Sequence, residues 1–206
     1  MSGAPRPVED AEDHDPLADP AFLIEARARR PDALARFFDL AFPFIHAIAM
    51  RLTGDRTTAE DVTQDALHRI HRGLERLDPE RPARPWIATI TANLVRDHLR
   101  RVKRDRSVRF DPGDLESVVA GSRSSAGAAP PERPEEVAIR RERTQLLERA
   151  IAELSDDLRE VLVLRVHGEL DHDRIAETLG IRPDAARKRY SRALAEVREK
   201  MRRWES

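Results

Sequence analysis

The chain has 206 residues, of which 36% are charged and 4% aromatic, with a formal net charge of −1. This length allows one or two domains, and the scarcity of aromatic side chains predicts small, largely aliphatic cores. The absence of cysteine excludes disulfides, thiolate metal sites and thiol-based redox sensing. The longest apolar stretch, AFPFIHAIAM at 41–50, is too short to span a bilayer, and the N-terminus has no signal-peptide pattern. We therefore expect a cytoplasmic protein without membrane contact.

Charge is segregated along the chain despite the near-neutral total. Residues 1–20 carry six acids and one base, and we expect this acidic tail to be disordered. Residues 96–109 carry seven bases and two acids, and residues 182–203 carry nine bases and three acids. Two separate basic segments in a neutral protein suggest contacts with a polyanion at two places. The alternative for each segment is a solvated helix face.

Apolar residues recur with helical spacing, and no sustained alternation typical of a strand appears. We predict helices over 21–30 and 32–53. A third helix is predicted to begin at Thr57, with Glu60 three residues later forming a capping box, and to end near Gly73. The second helix is predicted to bury one side, composed of Phe37, Phe38, Leu40, Ala41, Phe44, Ile45, Ile48 and Leu52.

The organisation of the chain is predicted from a change in composition. A Pro-rich loop at 74–84 precedes a helix that starts at Pro85. Residues 105–134 are rich in Gly, Ser, Ala and Pro and lack a sustained period, which is typical of a flexible linker. The predicted fold is all-α, with two small helical domains at 21–104 and 135–206 joined by this linker. Both domains are small enough to gain stability from partners.

Cap residues in the C-terminal part predict where three successive helices begin and end. A helix is predicted over 135–154, and Ser155 is placed as the N-cap of the next one, which continues to Gly168. Two acids follow Ser155 in the first turn, where they suit the helix dipole. Asp171 is predicted to cap a further helix that ends at Leu179.

The stretch RIAETLGIRPDAARKRYSRA at 174–193 predicts a tight corner between two helices. Gly180 supplies the permissive backbone, and Ala186, Tyr190 and Leu194 share the side of the last helix that packs on the preceding one. The predicted outward residues are Arg182, Ala185, Arg187, Lys188, Arg189 and Arg192. This arrangement is typical of a helix-turn-helix whose second helix enters the major groove of DNA. The alternative is an ordinary helical hairpin with a charged exterior.

Three segments resemble one family of bacterial proteins. LREVLVLRVHGELDHDRIAETLGIRPDAARKRYSRALAEVRE at 158–199 resembles the promoter-reading C-terminal domain of extracytoplasmic-function (ECF) sigma factors of RNA polymerase, in the sigma-70 superfamily. RLTGDRTTAEDVTQDALHRIHR at 51–72 resembles their core-polymerase-binding helix, and RPWIATITANLVRDHLRR at 84–101 their minus-ten recognition and melting helix. The resemblance covers about 21–104 (sigma region 2) and 135–203 (region 4). It implies a sigma factor that directs promoter-specific initiation, with neither enzymatic activity nor a cofactor.

The resemblance assigns three sets of residues. Core-polymerase docking, on the clamp coiled coil of the largest subunit, is implied for Asp61, Gln64, Asp65, Leu67 and His68. Binding of the opened minus-ten strand is implied for Asn93, Arg96, Asp97, Arg100 and Arg101. Binding of the minus-thirty-five duplex is implied for Arg182, Ala185, Arg187, Lys188, Arg189 and Arg192. A plain amphipathic helix is the alternative for the first set, and a helix cap or an inter-helix bond explains Asn93 equally well.

The chain departs from the family pattern at a few positions. Ala92 stands where a basic residue is common, and Arg182 where a small hydroxyl residue is usual. Ala185 and Ala186 stand where Thr and Val are frequent. The resemblance therefore does not imply a particular promoter sequence. Trp86 is the only aromatic side chain near the helix implied to bind opened DNA, and we expect it to be a buried anchor of its domain rather than a contact for an unstacked base.

Two rival functions and one further partner need a test. A metal site is suggested by His167, Asp171, His172 and Asp173, or by His68 with His71, but no further ligand set or nucleophile motif accompanies them. A stand-alone helix-turn-helix regulator would pair its DNA-binding domain with a sensory or dimerising one, and no such pattern appears.

The resemblance also implies an anti-sigma factor as a partner. The linker is implied to run near the polymerase active site, although a solvated spacer is the simpler alternative.

Overall fold

A computed structural model describes residues 15–108 and 134–204 of the chain. The expectations for residues 1–14 of the acidic tail and for most of the linker lie outside these described residues. The prediction of disorder is wrong for residues 15–20, because Asp15 caps a short 3-10 helix (Pro16–Ala18), Leu17 is buried, and Asp19 caps the first α-helix. Within the described residues, all regular structure is helical, as the sequence predicts. The α-helices are α1 (Pro20–Arg27), α2 (Pro31–Thr53), α3 (Arg56–Gly73), α4 (Ala83–Val108), α5 (Pro134–Ala152), α6 (Asp156–Val166), α7 (His172–Leu179) and α8 (Pro183–Trp204).

The boundary between α2 and α3 corrects the sequence prediction. Gly54 ends α2 in the left-handed conformation, with φ of 67°. The N-cap of α3 is Asp55, whose carboxylate accepts a hydrogen bond from the backbone N–H of Thr58 at 2.7 Å. Hydrogen bonds from the side chain and then the backbone of Thr58 lower the pKa of Asp55. The capping box predicted at Thr57 and Glu60 is wrong, because Glu60 accepts instead from the Arg56 side chain at 2.7 Å.

Other helix ends lie a few residues from their predicted positions. α4 begins two residues before Pro85 and continues to Val108, so the first residues assigned to the linker are helical. α6 ends at Val166 rather than Gly168. Ser155 occupies the predicted N-cap position of α6, but its side chain makes no capping hydrogen bond.

Helix α2 lies at the centre of the N-terminal helices and contacts α1, α3, α4 and α6. Its buried residues include most of the predicted apolar side: Phe37, Ala41, Ile45, Ile48 and Leu52. By length and composition alone, α2 is also long and apolar enough to cross a bilayer, although its longest unbroken apolar stretch has only ten residues. Core helices pass the same test, so this is weak evidence for a membrane span.

The N-terminal helices α1–α4 and the C-terminal helices α5–α8 pack against each other. α6 contacts both α2 and α4, and α7 contacts α4. The buried residues form one continuous hydrophobic cluster that runs through both groups. The two groups, which the sequence predicts as domains on a tether, thus also share an interface, in which α4 meets α6 and α7.

Candidate nucleic-acid interface

Helix α3 presents one polar face to solvent and one apolar face to the core. The apolar face is buried against α2 and α4 and comprises Ala59, Val62, Ala66 and Ile70. Of the predicted polymerase-binding residues, Asp61, Gln64, Asp65 and His68 are exposed, and Leu67 is half-buried. The polar face is therefore accessible to a protein partner.

The predicted minus-ten residues on α4 divide into an exposed set and one exception. Asn93, Asp97, Arg100 and Arg101 are exposed. Asn93 lies well inside α4, so it is not a helix cap. Trp86 is half-buried near Gly73, in keeping with a role as an anchor.

Arg96 is the exception, because its guanidinium binds the C-terminal end of α7. It donates to the backbone carbonyl of Thr178 at 2.7 Å and to that of Leu179 at 3.0 Å. Carbonyls in the last turn of a helix lack intrahelical partners and carry the negative end of the helix dipole. Glu160 on α6 adds a carboxyl nearby: burial raises its pKa, and the charge of Arg96 opposes that rise.

The corner between α7 and α8 has the geometry that the sequence predicts. Asp171 caps α7 by accepting from the backbone N–H of Arg174 at 2.7 Å. Gly180 ends α7 with φ of 65°. Its N–H and that of Ile181 return to carbonyls of the last turn, including Ala176. The left-handed glycine turns the chain sharply, and α8 begins three residues later.

Helix α8 packs one side on the rest of the C-terminal group. Ala186 is buried, Tyr190 and Leu194 are half-buried, and the Tyr190 ring lies 5.4 Å from that of His172. On the opposite side, Arg182, Arg187, Lys188 and Arg192 are exposed, while Ala185 and Arg189 are half-buried. The predicted DNA-binding set thus forms a largely accessible basic surface on the N-terminal half of α8.

Several of these cations already have acidic partners. Arg187 lies 3.1 Å from Asp184 and 3.5 Å from Asp173. Arg189 lies 2.8 Å from Asp157, at the start of α6. Most of these side chains are more than half exposed, so each pair is worth only a fraction of a kcal/mol. Phosphates can therefore replace the acids at little cost.

Two of the residues suggested for a metal site have other roles. Asp171 caps α7, and the His172 ring packs against Tyr190. His167 follows α6, and its pKa is lowered by burial and by the charge of Arg51. In residues 15–108 and 134–204, no three side chains of His, Cys, Asp or Glu come together as a possible metal site.

Sequence reasoning missed the arginines that join the two helical groups. Arg51 on α2 lies 2.5 Å from Glu148 on α5. Arg84 on α4 lies 3.7 Å from Glu169, which follows α6. These partners are far apart in sequence, so no local pattern indicates them.

Comparison with known proteins places both helical groups in the same family. The sigma-70 region 2 family model matches residues 37–105, and the sigma-70 region 4 model matches residues 144–197. The ECF RNA polymerase sigma factor SigL of Mycobacterium tuberculosis is 33% identical over 151 residues, which are 73% of this chain and 78% of SigL. The probable RNA polymerase sigma factor RfaY of Xanthomonas campestris is 33% identical over 179 residues, 87% of this chain but 43% of RfaY.

A solved structure has the same fold. The sigma factor RpoE of Bartonella quintana, in complex with the anti-sigma factor NepR, superposes with a TM-score of 0.63 at 21% identity, over 82% of this chain and 96% of that one. Region 2 matches the N-terminal helices and region 4 matches the C-terminal helices. The similarity to SigL extends over most of both chains. The chain belongs to the ECF sigma factors of the sigma-70 family.

Proposed function

We propose that this protein binds core RNA polymerase through α3, holds the opened minus-ten strand with α4 and reads the minus-thirty-five duplex with α8. In this assignment, residues 21–104 act as region 2, residues 135–206 as region 4, and residues 105–134 as the connection. The observation that carries the proposal is the glycine corner, which presents the basic half of α8 as the second helix of a helix-turn-helix.

The polar face of α3 supports the polymerase contact. Asp61 and Asp65 lie four residues apart, so both carboxylates project from one side of the helix. Both are exposed, while the opposite face holds α3 in the core. Exposed acids on a rigid helix suit a partner surface that carries arginines, because each carboxylate accepts bidentate hydrogen bonds from a guanidinium.

The two DNA contacts differ in chemistry. The cations of α8 would hold duplex phosphates and so fix the position of the helix in the groove. The face of α4 would hold single-stranded DNA, where Arg100 and Arg101 neutralise phosphates and Asn93 hydrogen-bonds an unstacked base. Binding the unpaired strand stabilises the opened state, so DNA opening needs no ATP.

One further partner and a location follow from the same proposal. RpoE of Bartonella quintana was solved in complex with an anti-sigma factor. We propose that an anti-sigma factor also binds this chain and covers its polymerase-binding and DNA-binding surfaces. Sigma factors are cytoplasmic proteins without enzymatic activity, and we expect this protein to act in the cytoplasm with neither a cofactor nor a catalytic step of its own.

The test is transcription from genomic DNA of the source organism with purified core polymerase and this protein alone. We expect transcripts whose 5′ ends lie downstream of a shared two-block motif. A stand-alone regulator, the rival function, would give such transcripts only when another sigma factor is added. Transcript ends that are unchanged from those of core polymerase alone would refute the proposal.

A further inference from the structure

Two consecutive arginines, Arg29 and Arg30, form the turn between α1 and α2, and neither residue type suits its position. Arg29 follows the end of α1 in the left-handed conformation, with φ of 58°, where glycine is favoured. Arg30 is the N-cap of α2 and makes no side-chain capping hydrogen bond. Ser, Thr, Asp or Asn is favoured at an N-cap, and a cation there opposes the positive end of the helix dipole. Residues that contradict their local structure in this way are expected at functional sites.

The side chain of Arg29 anchors this turn to the end of α3. Its guanidinium donates to the backbone carbonyl of His71 at 2.9 Å and lies 3.1 Å from Nε2 of the His71 ring. His71 belongs to the last turn of α3, and α1 also contacts the short 3-10 helix Leu74–Arg76 that follows α3. The contact to His71 gives Arg29 a structural role that glycine could not fill.

Unpaired cations surround the anchored turn. The exposed residues Arg27, Arg30, Arg72 and Arg76 are named here the arginine corner. In the part of the chain that the structure describes, none of these four side chains has a hydrogen bond or an ion pair. Arg72 directly follows His71, so the Arg29 contact brings it next to the turn. The dipoles of α1 and α3 favour Arg27 and Arg72 at the helix ends, but they disfavour Arg30.

The chemistry of the arginine corner suits a polyanion. Residues 25–32 and 69–76 together hold six arginines and three acids. Each guanidinium can bind a phosphate through two parallel hydrogen bonds. The polymerase surface proposed to meet Asp61 and Asp65 carries arginines itself, so it would repel the corner. The phosphates of DNA are therefore the better partner.

Helix α4 orients the arginine corner with respect to the promoter. α4 ends at Val108, before the connection to the minus-thirty-five-reading helices, and Arg100 and Arg101 lie towards that end. We take this as the upstream end of the opened strand. A strand held along α4 then leaves downstream at Ala83, where the loop leads back to the 3-10 helix Leu74–Arg76 and the arginine corner.

We propose that the arginine corner binds phosphates of the opened non-template strand just downstream of the minus-ten element. Arg30 contacts a phosphate, and Arg29 holds the turn against α3. The inference rests on the proposed function of α4, and the experiment below tests the two separately.

The experiment uses holoenzyme, assembled from core polymerase and the full-length chain, and two labelled fork DNAs. Both fork DNAs carry a promoter found by transcript mapping, with duplex upstream of the minus-ten element and only the non-template strand through it. The short DNA ends at the last base of the minus-ten element, and the long DNA continues for a few nucleotides. Fluorescence anisotropy at several salt concentrations gives the affinity for each DNA and its salt dependence.

The test variant is Arg30→Ser, which removes the cation and supplies a favoured N-cap. We expect it to raise the melting temperature, whereas a purely structural role for Arg30 predicts a lower one. Arg30→Lys keeps the charge and should retain most of the binding. The control variant is Arg56→Ala, which removes an exposed arginine at the opposite end of α3 from His71.

We expect the parent holoenzyme to bind the long DNA more tightly than the short DNA. Arg30→Ser should remove much of this difference and reduce the salt slope on the long DNA by about 0.7, the value for one lost contact to a single strand. Its affinity for the short DNA should match that of the parent and of Arg56→Ala. Equal salt slopes for the parent and Arg30→Ser on the long DNA overturn the proposal, as does an equal loss of affinity on both DNAs.

Three further results are decisive. If Arg30→Ser weakens assembly with core polymerase in the absence of DNA, the arginine corner is a polymerase contact and the proposal is wrong. If the parent holoenzyme binds neither fork DNA, the proposed minus-ten function fails and this inference fails with it. If circular dichroism shows that Arg30→Ser has lost its helices, Arg72→Ala replaces it, with the same loss expected on the long DNA alone.

Discussion

The carboxylate of Asp157 at the start of α6 lies 2.8 Å from the guanidinium of Arg189 on α8. This ion pair joins the body of the C-terminal group to the proposed recognition helix. It also occupies one of the cations assigned to DNA. The pair predicts that an acid outside the DNA interface tunes the affinity of α8 for the duplex.

The effect of Asp157 can be measured with a neighbouring acid as the control. We expect Asp157→Asn to tighten binding of the minus-thirty-five duplex by about two- to fivefold, the range of a partly exposed ion pair. Asp156→Asn removes the same charge one residue earlier, from a side chain that lies 3.5 Å from Arg159 instead. Fluorescence anisotropy with a labelled duplex compares the two. Equal affinities for the two variants would exclude a specific role for Asp157.

Arg187 offers a separate test of the phosphate contacts. Arg187→Ala should weaken duplex binding and reduce the slope of log affinity against log salt concentration by about 0.9, the value for one lost phosphate contact. Arg198→Ala is the matched control, since Arg198 is an exposed base in the C-terminal half of α8. Anisotropy titrations at several salt concentrations give both slopes. If the slopes of the two variants agree, Arg187 lies outside the interface.

The exposed acids on α3 predict that charge reversal weakens binding to core polymerase without lowering the stability of the protein. Asp61→Lys with Asp65→Lys should weaken binding to core polymerase by about tenfold or more, because reversed charges meet the basic partner surface. The melting temperature should stay the same, since both side chains are exposed. Glu75→Lys, an exposed charge reversal just beyond α3, serves as the control. Undiminished core binding by the folded double variant would argue for a different docking surface.

Replacing either of the two glycines in the left-handed conformation should lower the stability of the protein. Gly180 and Gly54 have φ values of +65° and +67°, and a Cβ atom at either would meet no atom within 4 Å. Alanine at either position should therefore lower the free energy of unfolding by about 1–2 kcal/mol through backbone strain alone. Gly180→Ala should also weaken duplex binding, because Gly180 directs α8, whereas Gly54→Ala should not. Denaturant unfolding and anisotropy measure the two effects, and equal DNA affinities would remove Gly180 from the positioning of α8.

His167 predicts a pH dependence. Burial and the charge of Arg51 on α2 lower its pKa below the ordinary 6.5, and Glu148 on α5 partly opposes this. In the window below 6.5, the unfolded chain binds the proton more readily than the folded one, so stability is lost as the pH falls. His167→Asn should make the free energy of unfolding fall less steeply as the pH is lowered. Denaturant unfolding measures this from about one pH unit above the ordinary histidine pKa to about one unit below it. An unchanged dependence would assign the loss to other groups.

Local patterns predict much of the fold and of the candidate site. The spacing of Ala59, Val62, Ala66 and Ile70 predicts the buried face of α3, and the structure confirms it. The roles of Asp171 and Gly180 also follow from sequence, because a helix cap or a left-handed turn depends on a few adjacent residues.

Two kinds of feature are not predicted from the sequence. One is a contact between residues far apart in the chain, and the other is a choice between two neighbouring residues that suit the same position equally well. Arg96 and Thr178 are separated by 82 residues, so the contact between them depends on how the two helical groups pack. Asp55 and Thr57 are both good cap residues, and the position at which Gly54 ends α2 decides between them. The pairs of Arg187 with Asp173 and of Arg189 with Asp157 likewise depend on the packing of α8.

The central claim is that this protein directs core polymerase to promoters, and run-off transcription from one defined promoter tests it most directly. The template carries a promoter found by transcript mapping, and core polymerase and this protein are the only proteins added. We predict a run-off product of the expected length that is absent with core polymerase alone and strongly reduced with the Asp61→Lys/Asp65→Lys variant. No product above the level of core polymerase alone, from protein that binds the promoter duplex, would contradict the account.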